Sequence, residues 1–373
     1  MSQYRLQTYY MYLVYVAMTI LFGCSLLARF RILNDTLCSL SALILPIVYL
    51  VVFILILSTF FLRNYKDYFF TLLLIFILIP TLLWPPLWLL RTPRVAKRVE
   101  KQVVRVSTWN VARMGELALK DKKAKRQARL KCVQNTLNKT QSDLFAIQEI
   151  SKSRVRDLES SMSLTCKHVD YYGTGYGHRG GLAICSNYGG DWKINFARNF
   201  QLPGRWRALF AEVENRAVIP SMRLNLLNIH FLPHKISPRT IKNAVYEDLA
   251  DGSIQKSVNL LKQTIQTTRK QEEQAEALMQ VIQTFVDPTV IVGDFNSPAH
   301  SKLHWVLGQD WVDTWKKAGG DFGATRYFAG WLPFRVDFIY THRQSFDVLS
   351  SFVQKSNCSD HQTLITDMRF LDN

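Results

Sequence analysis

Acidic, amide and imidazole side chains recur in this chain at one kind of place, the end of an apolar run. Val290-Ile291-Val292-Gly293 leads into Asp294-Phe295-Asn296. The β-branched run reads as a buried strand, and Gly293 lets the backbone turn as it leaves the sheet. A carboxylate and a carboxamide two residues apart on an extended strand end share a face. One can bring negative charge to a metal-bound water while the other brings a neutral amide to a phosphate oxygen. A plainer reading stands beside this one: Asn296 or Ser297 caps a helix that has Pro298 in its first turn.

The same event repeats along the chain. Val103 to Trp109 reads as a strand that delivers Asn110, and Asp143 to Gln148 as one that delivers Glu149. Leu224 to Ile229 leads to His230, the strand Phe334 to Tyr340 carries Asp337, and Ser359-Asp360-His361 precedes a last strand, Gln362 to Met368. A polar residue at a strand exit is ordinarily the start of a loop, so no single position decides anything. Six or so in one domain, with Asp–His as the final pair, are harder to dismiss as loop starts.

Other elements must hold these positions. Gly180 to Ser186 and Arg207 to Val213 read as further strands, and residues 254–286 as a long polar helix. Its apolar stripe, Leu260, Ile265, Ala275, Leu278 and Ile282, is imperfect. A basic run from Lys120 to Lys131 leads into Leu130, Val133 and Leu137 at helical spacing, the solvated face of a core-packed helix. A short helix is expected near 298–308. His300 and His304 stand four apart there, but the glutamate of a zinc-binding helix is missing.

Apolar residues make up 48% of the 373 and crowd the first 90. Three stretches, at about residues 9–28, 37–62 and 69–90, are each long enough to cross a ~30 Å hydrocarbon core as helices. Pro46 and Pro80 are tolerated in such helices, and Trp84 and Trp88 suit the interface. The expected organisation is a transmembrane region over 1–90, a basic juxtamembrane linker over 91–102 and a catalytic domain over 103–373. No ionisable residue within the spans marks a transport pathway. The first 90 residues hold five of the 46 Lys and Arg and two of the 29 Asp and Glu, so 41 basic residues face 27 acidic ones beyond them. Such a surface seeks anionic partners: nucleic acid, phosphorylated metabolites or the lipid bilayer.

Basic residues at Arg29, Arg31, Arg91, Arg94, Lys97 and Arg98 put the large domain in the cytoplasm at an inner or plasma membrane by the positive-inside rule. An extracytoplasmic domain is the alternative. Cys132, Cys166, Cys185 and Cys358 show no CxxC and no metal-like spacing, and unpaired thiols suit a reducing compartment.

In order, Trp109-Asn110, Gln148-Glu149, His230, Gly293-Asp294-Phe295-Asn296, Arg335-Val336-Asp337 and Ser359-Asp360-His361 resemble the motifs of the endonuclease/exonuclease/phosphatase superfamily. Deoxyribonucleases, abasic-site endonucleases, sphingomyelinases and inositol-phosphate phosphatases belong to it, and this chain looks like a membrane-anchored, bacterial-type member. The resemblance implies an α/β (α+β) four-layer sandwich, two mostly antiparallel β-sheets flanked by helices, here preceded by three N-terminal transmembrane helices. It implies Mg²⁺ or Mn²⁺ held by Glu149, with Asn110 and Asp360 close by. His361 is then the general base or a phosphate-facing imidazole, oriented by Asp337. Asp294 aligns or deprotonates the attacking water. Asn296 and His230 hold the scissile phosphate, and His230 can protonate the leaving group.

Two departures disfavour abasic-site repair: Ala112 and Ser151 stand where those endonucleases carry an acid and a lysine. Trp206, next to Arg205, could stack on a base, and the apolar loop with Trp331 and Phe334 could touch substrate or dip into the bilayer. The expected function is a membrane-anchored, divalent-metal-dependent phosphodiesterase acting on nucleic acid or a phospholipid headgroup. A phosphomonoesterase and a non-catalytic module that binds phosphorylated ligands are the competing readings.

Overall fold

Two parallel strand pairs form the centre of the architecture. β1 (Val103–Asn110) runs parallel to β2 (Leu144–Gln148), with Asn110 opposite Gln148. Antiparallel neighbours complete a six-stranded sheet: β4 (Arg179–Asn187) and β3 (Leu164–Tyr172) beyond β2, β14 (Thr363–Phe370) and β13 (Phe346–Gln354) beyond β1. The second sheet repeats the plan around β7 (Met222–His230) and β8 (Thr289–Asp294). Here β6 (Trp206–Asn215) and β5 (Trp192–Leu202) lie on one side, and β12 (Asp337–His342) and β9 (Trp311–Asp313) on the other. A separate hairpin joins β10 (Arg326–Phe328) to β11 (Leu332–Phe334).

This computed structural model describes residues 102–112, 124–172, 179–217, 221–234, 236–299, 301–308, 310–320, 323–328, 330 and 332–371. The three expected membrane stretches, the linker to residue 101 and Trp331 lie outside them. Among the described residues no helix is long and apolar enough to cross a membrane. All described residues except Pro298–His304 fall in one compact unit.

Strand alternation decides which residues see the partner sheet. On β1, Arg105 and Trp109 point outward, where Trp109 packs with Val133 and Leu137 of α1 (Ala124–Thr140) and Val155 and Leu158 of α2 (Lys152–Met162). Thr108 points inward and accepts from Gln148, whose amide also reaches Asn228 of the second sheet at 2.7 Å. Asn228 donates in turn to the Ile147 and Ala183 carbonyls. The buried Asn228 amide is tolerable because its oxygen and its N–H groups are all engaged, and this network sets the two sheets' mutual register.

Gly293 is needed for close approach rather than for an exit. It lies within β8 at φ +146°, and a Cβ there would meet the Ile229 carbonyl of β7.

Beyond the second sheet, Ser237 and Thr240 form the capping box of α3 (Pro238–Asp251). The long helix α4 (Gln255–Ile282) buries Ala275, Leu278 and Ile282 as expected. Its other buried positions are polar: Thr264, Thr268, Gln271 and Gln274 lie there, with Leu260 and Ile265 only half-buried. The reason lies in what α4 touches. Gln271 donates to the Leu232 and Asn296 carbonyls and Gln274 to that of Pro203, so this face holds loops. A short helix α5 (Leu303–Val306) follows β8, and α6 (Thr314–Ala318), capped by Asp313, packs on β12 and β13.

The expectation of unpaired thiols is corrected. Cys132 is bonded to Cys358, and Cys166 to Cys185. Spacing along the chain concealed the first pair because 226 residues separate its members.

Arg105 makes two hydrogen bonds to Asp367 of β14, at 2.6 and 2.9 Å, inside the protein. Removing one partner leaves a buried unpaired charge. Arg105→Met should lower the unfolding free energy by about 3–5 kcal/mol, while adding Asp367→Leu restores most of it. Urea unfolding of both variants checks this, and equal losses would contradict it.

Candidate active site

Strand order and direction bring the polar strand ends to one rim. β1, β2, β7 and β8 finish there, on Asn110, Gln148, His230 and Asp294. β12 is antiparallel to β8, so its first residue, Asp337, lies opposite Asp294, and Asp294 lies opposite His230. One row of the second sheet thus reads His230, Asp294, Asp337. β14 is antiparallel to β1, so the residues that precede it, Ser359 to His361, return to the same rim.

The contacts follow. His361 Nδ1 is 2.8 Å from Asp337 Oδ2, and its Nε2 is 3.7 Å from Asp294 Oδ2. The Asn110 amide donates to Asp294 at 2.9 Å and to Glu149 at 3.2 Å. His230 Nε2 lies 3.5 Å from Asp294 and 3.9 Å from Glu149. His361, Asp294, Asp337, His230 and Asn110 are buried, whereas the Glu149 side chain is 24% exposed and opens the cluster to solvent. Glu149 takes φ +54°, a left-handed turn that redirects the chain where β2 ends.

His361 is held from several directions. The Trp109 indole donates to its carbonyl, and its amide donates to Ser359 Oγ, which itself donates to the Asn110 carbonyl. Asp337 is fixed by Thr325, whose hydroxyl accepts from the amides of Val336 and Asp337.

Charges in this space oppose their burial. Burial disfavours protonated His361, but the carboxylates of Asp337 and Asp294 outweigh it and push the imidazole up to about 9. Burial likewise works against ionised Asp294, yet His361, His230 and the Asn110 amide hold its carboxyl below the usual range. Asp337 is raised by burial, with Asp294 adding to the shift and His361 opposing it. At neutral pH His361 therefore bears a proton and Asp294 a negative charge.

Asp294, Asp337 and His361 offer ligand atoms within 4.8 Å of one another, close enough to share a cation. Since His361 already spends Nδ1 on Asp337, the better oxygen donors for a hard dication are Glu149 with its half-open carboxylate and Asn110 beside it. This donor set fits a divalent metal that keeps several waters.

Other expected site residues border the cluster or stand apart from it. Asp360 is 53% exposed, and Arg326 holds it at 3.0 Å. Asn296 turns at φ +49° instead of continuing the strand, and its amide donates to the Phe231 carbonyl. Its backbone N–H caps Asp294 Oδ1 at 2.8 Å. Trp206 is buried and packs edge-on against His230, 5.3 Å between ring centres. Phe334 pairs with Arg326 across the β10–β11 hairpin, and the Arg205 side chain lies outside the described residues.

Sequence reasoning passed over Asn228, Thr325 and Arg326. Asn228 had a usable signal, because it precedes His230 by the strand period. Thr325 and Arg326 follow a loop with no periodicity to read.

The sign of the His361 shift yields a prediction. A folded value near 9 against an ordinary 6.5 means that its stabilisation is full below about 6.5 and is lost as pH rises through about 9. Metal-free protein should therefore lose stability across that interval, and Asp337→Asn should flatten the loss. Urea midpoints measured from neutral to alkaline pH in a chelator test this, and parallel profiles would contradict it.

The geometry agrees with what the chain is similar to. The profile of the endonuclease/exonuclease/phosphatase family matches residues 107–361. An endonuclease/exonuclease/phosphatase from Bacteroides vulgatus superposes with a TM-score of 0.53 at 16% identity, covering 73% of this chain and 100% of that one. The human Nocturnin catalytic domain with bound sulfate gives 0.51 at 14%, covering 73% and 95%. Humanized D. rerio TDP2 gives 0.51 at 14%, covering 72% and 100%. No curated protein matches the chain. With a family match over most of its length and the matching residues gathered at one rim, the chain belongs to the endonuclease/exonuclease/phosphatase family, whose members hydrolyse phosphoester bonds and use divalent metals.

Proposed function

We propose that this protein is a membrane-anchored phosphodiesterase that uses Mg²⁺ or Mn²⁺ to hydrolyse nucleic acid or a phospholipid headgroup. The observation that carries the reading is the sharing of one rim by a protonated His361–Asp337 pair, an ionised Asp294 and the Asn110–Glu149 pair. Glu149, with Asn110 beside it, would hold the cation, which when bound offsets charge growing on the phosphate oxygens. Asp294 aligns a water for in-line attack and takes its proton as the new P–O bond forms. Its two supports, the Asn296 N–H and the Asn110 amide, keep that carboxylate in one orientation.

His361 enters the reaction carrying a proton, so it acts as a donor to a phosphate oxygen and not as the first base. His230, 3.5 Å from Asp294, would protonate the leaving oxygen. Membrane anchoring rests on the three apolar stretches of the first 90 residues. A tether confines the rim near headgroups, while the basic surface suits both substrate classes.

The full chain in detergent should cleave bis(p-nitrophenyl) phosphate and at least one of single-stranded DNA, plasmid or phospholipid vesicles, and a chelator should stop it. Glu149→Gln and His361→Ala should each lower kcat by about 10²- to 10⁴-fold, with both variants folded at the assay temperature by circular dichroism and only Glu149→Gln keeping the wild-type unfolding temperature. No turnover of any substrate, or wild-type turnover in both variants, would sink the proposal.

A further inference from the structure

The four cysteines among the described residues form two pairs, and one pair reaches the catalytic loop. Cys358 lies three residues before His361, on a segment without regular strand or helix, and its partner Cys132 sits on α1. Cys358 is buried in the cluster that also contains Trp109, Val133 and Leu137. Around the sulfurs, Thr136 Oγ1 lies 3.2 Å from Ser356 Oγ and 3.8 Å from Cys358 Sγ, and the Cys358 N–H donates to Ser356. One and three residues on, Ser359 and His361 make the contacts to Asn110 and Trp109 that set the imidazole. The second pair, Cys166 and Cys185, are register partners on β3 and β4; they share the core cluster with Cys358 but tie two strands together and not the loop.

We infer that the domain is built for an oxidising compartment, in which the Cys132–Cys358 disulfide positions the loop that carries His361. The positioning half of this inference rests on the phosphoesterase reading. Each disulfide forms when two thiols give up two protons and two electrons to a disulfide oxidant, and cytosolic thiol pools reverse that step. The basic residues near the expected spans favour the opposite side, but charge bias is a statistical tendency, whereas two disulfides need an oxidant to exist. The placement is specific as well: a staple of this kind anywhere else on α1 would leave the 355–362 segment untouched. Here it anchors the segment to α1 and to the core cluster around Trp109.

Three measurements separate the parts. Chain purified with alkylation and no reductant, from the cells that make it, should map as Cys132–Cys358 and Cys166–Cys185 linked peptides. Four alkylated thiols would overturn the inference. Reduction by a phosphine should speed hydrogen exchange at residues 356–361, and unchanged exchange would overturn the positioning role whether or not the protein is active. On bis(p-nitrophenyl) phosphate with Mn²⁺, reduction or Cys132→Ser should lower kcat by about 10- to 100-fold with KM near its starting value. Reoxidation should restore the reduced chain.

The Cys166→Ser/Cys185→Ser protein is the control: it loses a disulfide of the same domain and should keep kcat. An equal fall in the control, or none on reduction, contradicts the inference. Failure of the oxidised wild type to turn over any phosphate ester sinks the enzyme reading instead, and the peptide map and exchange data still stand.

Discussion

One shared proton ties the two sheets together where they open. His361 arrives on the segment that feeds the first sheet, Asp337 begins a strand of the second, and 2.8 Å separates their bonded atoms. Without that imidazolium, Asp337 and Asp294 would be two buried carboxylates facing each other, an arrangement burial and mutual repulsion both oppose. With it, a positive charge lies between the two carboxyl groups and opposes both their burial and their repulsion. The supports from Trp109, Ser359 and Thr325 make sense as devices that keep this contact short.

The polar character of the inner faces follows from the same constraint. Sheets packed only through Val, Ile and Leu can slide by small amounts at little cost, because dispersion contacts are not directional. Gln148 donates to Asn228 across the sandwich and Asn228 donates back to the Ile147 and Ala183 carbonyls, and sliding would break these bonds in the interior. The long helix adds a second brace: its buried glutamines grip the loops that leave β7 and β8, just past His230 and Asp294. Rigidity here serves the rim, whose donors and acceptors must stay in place while charge develops.

Much of this was legible in the chain itself. The strands that end on Asn110, His230 and Asp294 were visible because buried parallel strands are near-continuous apolar runs. Their polar termini then stood out. β5 was not visible: it is an edge strand whose alternation is weak, with Phe196 exposed and Lys193, Asn195, Arg198 and Asn199 along it. β11 and β12 were read as one strand because Arg335 and Val336, which separate them, look like strand residues. Arg335 is instead buried against Asp313, a partner no local pattern announces. The disulfides and the Arg326–Asp360 pair were hidden for the same reason, since long-range contacts leave no mark on spacing. Asn296 shows what residue type leaves out: only the turn at φ +49° reveals that one donor of its amide serves the Phe231 carbonyl.

The central claim is that side chains from Asn110 to His361 converge on one cation-binding mouth. Anomalous scattering from crystals of the protein soaked in Mn²⁺ measures it directly. The account predicts one ordered ion at that rim, with a Glu149 oxygen at ligand distance and Asn110 and Asp294 around it, and its loss in Glu149→Gln. An ion bound elsewhere, or none at a concentration that supports turnover, would contradict it.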